Sequence, residues 1–369
     1  MALLVCDISE MKRRVTYSGV HRVVQNIIST IPERFADNVI LGFLDADGEY
    51  HFTDTDGNPF KVSGEFGLFN LDLTLDFSEK KARQIARWGR RMKFMATFLP
   101  DMLPMTSPAY FETEMAVLFR KYFEIIARPS NLILTNSQDS IESIKSFLSQ
   151  DGISEARPRI DCFQLGTDFL PVPIGDLLQV RRPIWEAITC ASQPVFSWLS
   201  TIEPRKNLAT VLNAVEILAQ EGKPFKLIVM GKFGWHCDFE FLKLQELLHK
   251  YPRYLHFLHF PSDFEIRYVL TKSLGLIVSS FAEGFGLPLI EGAALGNHVI
   301  CSDIPVFRSI MGKSAMYFDP HSVHELVTRM RHVMELSPLK PGTHEVKPAS
   351  WNQISEELFS KIFTQMSQT

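Results

Sequence analysis

Short apolar runs alternate with segments of helical periodicity along most of the chain. In the first half, the runs LLVCD, NVILGFL, NLILTNS and RIDCFQLG predict buried strands. Six apolar residues at helical spacing predict a helix after the first run: Val20, Val23, Val24, Ile27, Ile28 and Ile31. Asp-Gly turns at 47–48 and 56–57 predict a hairpin or an extended loop. Strands that alternate with helices favour an α/β fold built on a parallel sheet.

The alternation stops near residues 170–194, where proline-containing segments interrupt it, and then starts again. Five further strands are predicted at VFSWLS, KLIVMG, YLHFLHF, GLIVSS and HVICSD, with four helices between them. We therefore predict one domain over residues 1–180 and a second over residues 181–349. Ligands bind outside the carboxyl ends of strands in such sheets, so we expect the two domains to face each other across a cleft that holds a polar ligand.

The amino-acid composition argues against several classes of protein. The 369 residues are 46% hydrophobic and 22% charged with a net charge of −4, which argues against disorder and against a dedicated nucleic-acid binder. Five dispersed cysteines without a CxxC pair argue against a disulfide framework or a zinc site. No apolar run is long enough to span a membrane, and the first residues do not resemble a signal peptide. We expect a cytoplasmic protein.

Residues 80–98 form a basic stretch with seven lysines and arginines between Lys80 and Lys93. As a helix, it would place Ile85, Trp88 and two methionines on one face and basic side chains on much of the rest. One interpretation is a surface helix that contacts anionic lipid headgroups at the inner face of a membrane. The other is a solvated basic face over a helix packed on the core.

Adjacent cations follow the first strand of the second unit. In TIEPRKN, Arg205 and Lys206 stand just before a predicted helix. Arginine offers a fork of donors and lysine a mobile point charge, so together they suit a diphosphate. An isolated Arg-Lys pair is also common on ordinary protein surfaces.

The segment SSFAEGFGLPLIEGAALG carries two carboxylates eight residues apart, Glu283 and Glu291. Gly284 and Gly286 allow backbone amides to approach a ligand, and Pro288 suits the start of a helix whose positive end would point to the same place. Glu291 could accept both hydroxyls of a ribose, and Glu283 could hold the hydroxyls of a sugar. A glycine-rich turn with two acids near a helix start is the alternative.

These strings, with EGFGLPLIE as the most specific, resemble the Glu-x7-Glu motif of retaining glycosyltransferases of family 4. TYSGVHRVV, TNSQDS and LGTD occur in the order found in that family, and TIEPRKN resembles its phosphate-binding strand end, so the resemblance covers nearly the whole chain. It implies a GT-B fold of two Rossmann-like domains, with the C-terminal helix at 350–369 returning to the N-terminal acceptor domain. It also implies a metal-independent enzyme that needs no cofactor besides its nucleotide-sugar donor.

The resemblance assigns roles to individual residues. Arg205 and Lys206 would bind the donor diphosphate, Glu291 the ribose, and Glu283 the transferred sugar. The residues implied to contact the donor are Gly19, Arg205, Lys206, Glu283, Gly284, Phe285, Gly286, Leu287 and Glu291, and those implied to act in catalysis are Asp101, Arg205, Lys206 and Glu283. GDP-mannose is the favoured donor and dTDP-rhamnose the second. A glycan or lipid-linked glycan would be the acceptor, and the oligomeric state stays open.

The chain departs from the family pattern at one important place. The family has a His-Asp pair at the end of an N-terminal strand; here Asp101 is present, but Pro100 stands at the histidine position. That histidine usually lies near the reacting carbon. A protein of this fold that binds nucleotide sugars, or serves as the scaffold of a transferase complex, is therefore the alternative to an active enzyme.

Overall fold

The chain divides into two units in a computed structural model that describes residues 2–13, 19–150, 158–167, 180–189, 193–336 and 349–369. The first unit comprises Met1–Gly166 and Ala349–Thr369, and the second comprises Thr167–Pro348. The first unit thus ends at Gly166, earlier in the chain than the boundary between residues 180 and 181 that the sequence predicted. Each unit has its own sheet, so the α/β expectation is confirmed.

The first unit contains a seven-stranded sheet in the order β3-β2-β1-β4-β5-β6-β7. Its strands are β1 Leu3–Asp7, β2 Val39–Leu44, β3 Tyr50–Thr53, β4 Phe66–Asn70, β5 Met92–Phe98, β6 Leu132–Thr135 and β7 Arg159–Cys162. Its helices are α1 Ser9–Arg13, α2 Gly19–Ser29, α3 Glu33–Ala36, α4 Ser78–Trp88, α5 Leu103–Thr106, α6 Thr113–Tyr122 and α7 Gln138–Gln150. All neighbouring strands are parallel except β2 and β3, which form the predicted hairpin.

Two central strands, β4 and β5, were not predicted. The basic stretch was expected to continue as a helix through residue 98, but α4 ends at Trp88 and a short 3-10 turn leads into β5. Gly89 makes this break possible, because its φ of 51° lies in a region that favours glycine. The strand that follows is almost wholly buried, and a central parallel strand reads as a continuous apolar run.

The predicted apolar face of the basic stretch is part of the core. Trp88 is 8% exposed and makes edge-to-face contacts with Tyr50 at 4.9 Å and Phe66 at 5.2 Å between ring centroids. Met95 lies buried in β5. The helix expected over 80–98 is therefore wrong beyond Trp88, and the apolar residues of the stretch pack inside the unit, as in the interpretation of a helix packed on the core.

The second unit contains a six-stranded, all-parallel sheet in the order β10-β9-β8-β11-β12-β13. Its strands are β8 Val195–Leu199, β9 Lys226–Gly231, β10 Leu255–His259, β11 Gly275–Val278, β12 His298–Ser302 and β13 Met316–Phe318. Its helices are α8 Arg182–Thr189, α9 Leu208–Gln220, α10 Asp238–Lys250, α11 Asp263–Lys272, α12 Leu287–Ala294, α13 Pro305–Met311 and α14 Val323–Glu335. The five predicted strands are present, and the three-residue edge strand β13 is a sixth.

Alternating residues of the second sheet belong to two separate apolar clusters. In β9, Leu227 and Val229 join a cluster with α9, α10 and α14, whereas Ile228 and Met230 join another with α11, α12 and α13. Successive side chains of a strand point to opposite faces. Helices therefore cover both faces, as the doubly wound prediction requires.

The C-terminal helix α15, Trp351–Met366, packs within the first unit. Phe363 stacks on Phe35 with centroids 4.8 Å apart, and Phe359 lies 6.2 Å from the same ring. The hydroxyls of Thr30 and Ser355 are 2.6 Å apart. Residues distant in sequence thus complete the core beside α2 and α3.

We expect Phe359→Ala to destabilise the first unit by about 3–5 kcal/mol, because the fully buried ring leaves a cavity. Urea unfolding would show this as a lower midpoint at unchanged slope. The matched control is Phe60→Ala, whose side chain is 41% exposed, and which should cost less than about 1 kcal/mol. Equal losses in the two variants would contradict the packing described for α15.

Candidate active site

The segment after β8 is fixed by hydrogen bonds to the end of β11. Pro204–Lys206 forms a 3-10 turn, and Asn207 adopts a left-handed conformation at φ 54° from which its side chain caps α9. The hydroxyl of Ser279 donates to the carbonyl oxygens of Lys206 at 2.8 Å and Asn207 at 3.1 Å. The amide of Phe281 donates to the carbonyl of Arg205 at 2.8 Å. The loops after two adjacent parallel strands are thereby joined.

This connection brings together three residues predicted from separate motifs. Arg205 Nη1 donates to Glu283 Oε2 at 2.8 Å, and the Lys206 ammonium contacts the other carboxylate oxygen, Oε1. Arg205 Nη1 also donates to the carbonyl of Ala282 at 2.8 Å. The Ser280 hydroxyl donates to Glu283 Oε1 at 2.7 Å. One carboxylate thus holds two adjacent cations in place.

The cluster is largely shielded from water. Side-chain exposure is 12% for Arg205, 15% for Lys206 and 10% for Glu283. Burial alone raises the pKa of Glu283, but the charges of Lys206 and Arg205 and the hydrogen bonds to the carboxylate outweigh it and lower the pKa to about 2. Glu283 is therefore ionised at neutral pH.

Glu203 is a residue that the sequence reasoning missed. Its side chain is 3% exposed and accepts a hydrogen bond from Arg205 Nη2 at 2.7 Å. Burial raises the pKa of Glu203 against the opposing pull of Arg205 and Lys206. Its position two residues before Arg205 could have predicted this contact, because a partly buried arginine needs a carboxylate partner nearby. Glu203 and Glu283 together balance the charge of the two cations.

The glycine-rich loop continues directly from Glu283 into α12. Gly286 has a φ of 107°, and an added Cβ would lie 2.8 Å from Cε1 of Phe307, so only glycine fits there. Gly284 is buried, as are Phe285 at 8% and Leu287 at 9% exposure. Within the described residues, the amides of Phe285 and Gly286 donate no hydrogen bond to the backbone. Backbone N–H groups at a helix start are suited to an anion or a hydroxyl oxygen.

Glu291 lies further along α12 and is 1% exposed. The rest of this eight-residue helix is apolar apart from its glycine, with the sequence LPLIEGAA. Glutamate is almost never fully buried unless it is paired. Glu291 is the fifth residue of α12, which agrees with the expected place about one turn into this helix.

Two predicted site residues lie in the first unit, Gly19 and Asp101. Gly19 is the first residue of α2, directly after residues 14–18, which lie outside the described ranges. Asp101 follows β5 and accepts a hydrogen bond from the Leu103 amide at 2.9 Å. The carbonyl of Pro100, at the position of the expected histidine, accepts from Thr135 at 3.0 Å and Ser140 at 3.1 Å. Asp168 of the LGTD string lies outside the described residues.

The acidic turns of the hairpin region use their carboxylates locally. Asp45 accepts from the amides of Gly48 and Glu49 at 2.9 Å each. Asp54 accepts from the amide of Asn58 at 2.7 Å. In the part of the chain that the structure describes, no three His, Cys, Asp or Glu residues are grouped so that they could hold a metal ion. No helix among those residues has the length and apolar character needed to cross a membrane.

Comparison with known proteins places this cluster in a recognised domain. The family model described as "Glycosyl transferases group 1" matches residues 190–345. That range includes every strand of the second sheet, the Arg205–Lys206–Glu283 cluster and α12.

Curated relatives extend the likeness beyond that domain. The serotype-specific mannosyltransferase WbdA of Escherichia coli is 26% identical over 382 residues, which cover 97% of this chain and 45% of WbdA. The chain therefore spans less than half the length of that relative. The O-antigen chain mannosyltransferase B of Escherichia coli is 25% identical over 275 residues, which cover 72% of this chain and 69% of that protein.

Among solved structures, HepE of Anabaena in complex with UDP-glucose is similar over 100% of this chain and 98% of its own, with a TM-score of 0.64 and 15% identity. At that identity the likeness concerns the fold. It confirms the GT-B class predicted for the chain.

We expect Glu283→Gln to reduce the pH dependence of stability in acid. The lowered pKa means that Glu283 stabilises the folded state fully above pH 4.5, and that this contribution is lost as the pH falls towards 2. The difference in unfolding free energy between wild type and variant should be on the order of 3 kcal/mol at pH 7 and vanish near pH 2. Urea unfolding across this range measures it. Glu246→Gln, on the exposed side of α10, is the control, and a similar difference there would refute the role of the cluster.

Proposed function

We propose, from the match of residues 190–345 to the glycosyl transferases group 1 model, that the chain transfers a mannosyl group from a nucleotide sugar to a hydroxyl of a glycan or lipid-linked glycan. The observation that carries the proposal is the cluster of Arg205, Lys206 and Glu283 beside the start of α12. The names of the relatives, two mannosyltransferases of Escherichia coli, support mannose as the sugar. GDP-mannose is the donor that we favour. dTDP-rhamnose is the second candidate.

The cluster supplies what the departure of a nucleoside diphosphate requires. Negative charge grows on the diphosphate as the glycosidic bond breaks, and preorganised cations and amides stabilise that charge without rearranging at the moment of reaction. Arg205 and Lys206 would take this role, and Glu283 would keep them oriented while accepting hydroxyls of the sugar. Two cations in this position also support transfer that needs no divalent metal.

We propose further that the anomeric configuration is retained. This follows from the resemblance of the Glu283 to Glu291 string to the motif of retaining enzymes. In this scheme the acceptor attacks from the face that the diphosphate leaves, and the departing phosphate accepts the proton of the acceptor hydroxyl. Glu291, buried in α12, would bind the ribose of the donor.

The alternative is a protein that binds the donor without turning it over. Pro100 favours this candidate, because it offers no side-chain hydrogen bond where the family has a histidine. Its carbonyl is already bonded to Thr135 and Ser140. Donor binding with no transfer would identify a binding or scaffold protein.

A membrane contact of the first unit remains a proposal, in a form changed by the structure. Of the seven basic residues, Lys81 is buried, and Arg91 donates to the carbonyls of Val62 and Gly64. The exposed cations in and just after α4 include Arg87 and Arg90. Because Trp88 is in the core, the contact would be electrostatic, with no insertion of an apolar face.

The proposal is tested first by donor binding. We expect one of GDP-, UDP- and dTDP-sugars, with GDP-mannose favoured, to raise the melting temperature of the wild type, because a ligand that binds only the native state stabilises it. Glu291→Ala should lose the shift, whereas Glu246→Ala, on exposed α10, should keep it. Transfer from the bound donor should then fall about 100-fold or more in Arg205→Ala.

Nuclear magnetic resonance of the product would assign its anomeric configuration, and an inverted product would exclude the retaining scheme. Binding without transfer would favour the scaffold alternative. If no donor shifts the melting temperature of the wild type, the proposed function is wrong for the chain alone.

We expect Arg87→Gln with Arg90→Gln to weaken affinity for vesicles that contain anionic phospholipid, measured by sedimentation, by roughly 30-fold at low salt, since each basic residue near such a surface contributes about 1 kcal/mol. The matched control is Arg182→Gln with Lys223→Gln, two exposed cations of the second unit. Unchanged sedimentation of the α4 variant would remove this surface as a membrane contact.

A further inference from the structure

Arg205 is held by two carboxylates that bind different nitrogens of its guanidinium group. Nη1 donates to Glu283 Oε2 at 2.8 Å, and Nη2 donates to Glu203 Oε1 at 2.7 Å. Nη1 also donates to the carbonyl oxygen of Ala282 at 2.8 Å. The guanidinium is planar, so contacts at both terminal nitrogens fix its orientation as well as its position. The proposed function uses Glu283 and gives no role to Glu203.

Glu203 is the more deeply buried of the two carboxylates. Its side chain is 3% exposed, whereas that of Glu283 is 10% exposed. A hydrogen bond between charged groups is strong where little water competes for it. The contact between Glu203 and Arg205 is therefore the better shielded of the two.

The backbone around Glu203 is anchored to the segment that follows β9. The amide of Ile202 donates to the carbonyl oxygen of Lys232 at 2.7 Å, and the amide of Gly234 donates to the carbonyl oxygen of Ile202 at 2.8 Å. In the second sheet, β9 and β11 lie on opposite sides of β8. Glu203 is thus supported by a different neighbour of β8 from the one that carries Glu283.

Donor binding places competing demands on Glu283. In the cluster, its Oε1 accepts from Ser280 at 2.7 Å and contacts the Lys206 ammonium, and its Oε2 accepts from Arg205. Under the proposed function, the same carboxylate accepts hydroxyls of the sugar. The donors already present use most of the roughly four lone-pair sites of a carboxylate, so a pair of sugar hydroxyls displaces at least one of them. Arg205 then needs an anchor that the sugar does not engage.

We propose that Glu203 is a positioning residue, which keeps the guanidinium of Arg205 aimed at the departing diphosphate while Glu283 binds the sugar. The inference rests on the proposed function, in which Arg205 stabilises the charge of the leaving group. That charge develops in the transition state, so the orientation of the guanidinium matters more for turnover than for binding. Glu203 acts through Arg205.

The first readout follows the guanidinium itself and needs no activity. With arginine labelled with nitrogen-15, the Nη1 and Nη2 groups of Arg205, assigned by their loss in Arg205→Ala, should give separate magnetic resonance signals in the wild type. Carboxylates at both nitrogens slow the rotation that exchanges them. In Glu203→Gln, which keeps the shape of the side chain but removes its charge, this rotation should be about tenfold faster or more, and the signals should broaden or merge.

The matched control is Glu216→Gln, because Glu216 is a carboxylate of the same unit that also binds two cations, Lys243 at 2.6 Å and Lys250 at 2.8 Å. It should leave the Arg205 signals unchanged. Signals of Arg205 that are the same in Glu203→Gln as in the wild type would overturn the proposal. A single averaged signal in the wild type would also overturn it, and this measurement needs no variant of Glu203.

The second readout is the kinetics of transfer. Glu203→Gln should lower kcat about tenfold or more, because a small misplacement of Arg205 is costly in the transition state. The KM of the donor should change by less than about threefold, since both cations remain. In the Arg205→Ala background, Glu203→Gln should cause no further loss, because a residue that acts through Arg205 has nothing left to position. Glu216→Gln should keep the wild-type kcat.

The two readouts separate the two hypotheses. If no donor supports transfer, the proposed function fails, and the signals of Arg205 still decide whether Glu203 fixes the guanidinium. If transfer is found but the losses in Glu203→Gln and Arg205→Ala multiply, the glycosyltransferase proposal stands and the inference about Glu203 fails.

Discussion

Two cations placed side by side in a partly buried loop repel each other, and the arrangement of the second unit depends on the carboxylate that holds them together. Glu283 reaches this place because Ser279 and Phe281 tie the end of β11 to the turn after β8. The ion pairs therefore depend on strand order, since β8 and β11 must be neighbours for the two loops to meet. Removing one partner of a buried ion pair strongly destabilises the protein, because the remaining charge is then buried without a counter-charge.

The two units differ in how many cations they provide for their buried carboxyl groups. The second unit matches Arg205 and Lys206 with two carboxylates, Glu203 and Glu283. The first unit gives two buried carboxyl groups a single ammonium, Lys81. In the second unit the two cations hold the pKa of Glu283 at about 2. In the first unit, burial and the charge of Asp7 raise the pKa of the second carboxyl group, Asp72, to about 8.

Much of the second unit was predictable from the sequence because its signals are local. Its strands are short apolar runs bounded by turns, and Glu283, Gly286 and Pro288 stand close together in the sequence at the start of α12. Contacts between segments that are distant in the sequence were harder to predict. Glu203 is a local partner of Arg205, but nothing local links Arg205 to Glu283, because that contact depends on the pairing of β8 with β11.

The basic stretch of the first unit shows the limit of periodicity. Ile85, Trp88, Met92 and Met95 fit one helical face, yet the chain turns at Gly89 and the last two lie on a strand. A short apolar run fits a buried helix or a buried strand equally well. Lys81 looked like one more surface cation, because its partner Asp7 is 74 residues away in sequence.

The return of α15 to the first unit has a consequence for synthesis. Phe35 is made early, but the rings that cover it, Phe359 and Phe363, belong to the last segment of the unit. The whole second unit, Thr167–Pro348, is translated in between. At about 5–20 residues per second, that interval lasts roughly 10–40 s. The second unit can therefore fold on the ribosome before the first is complete, and an apolar surface around α2 and α3 stays open to chaperones until the last helix emerges.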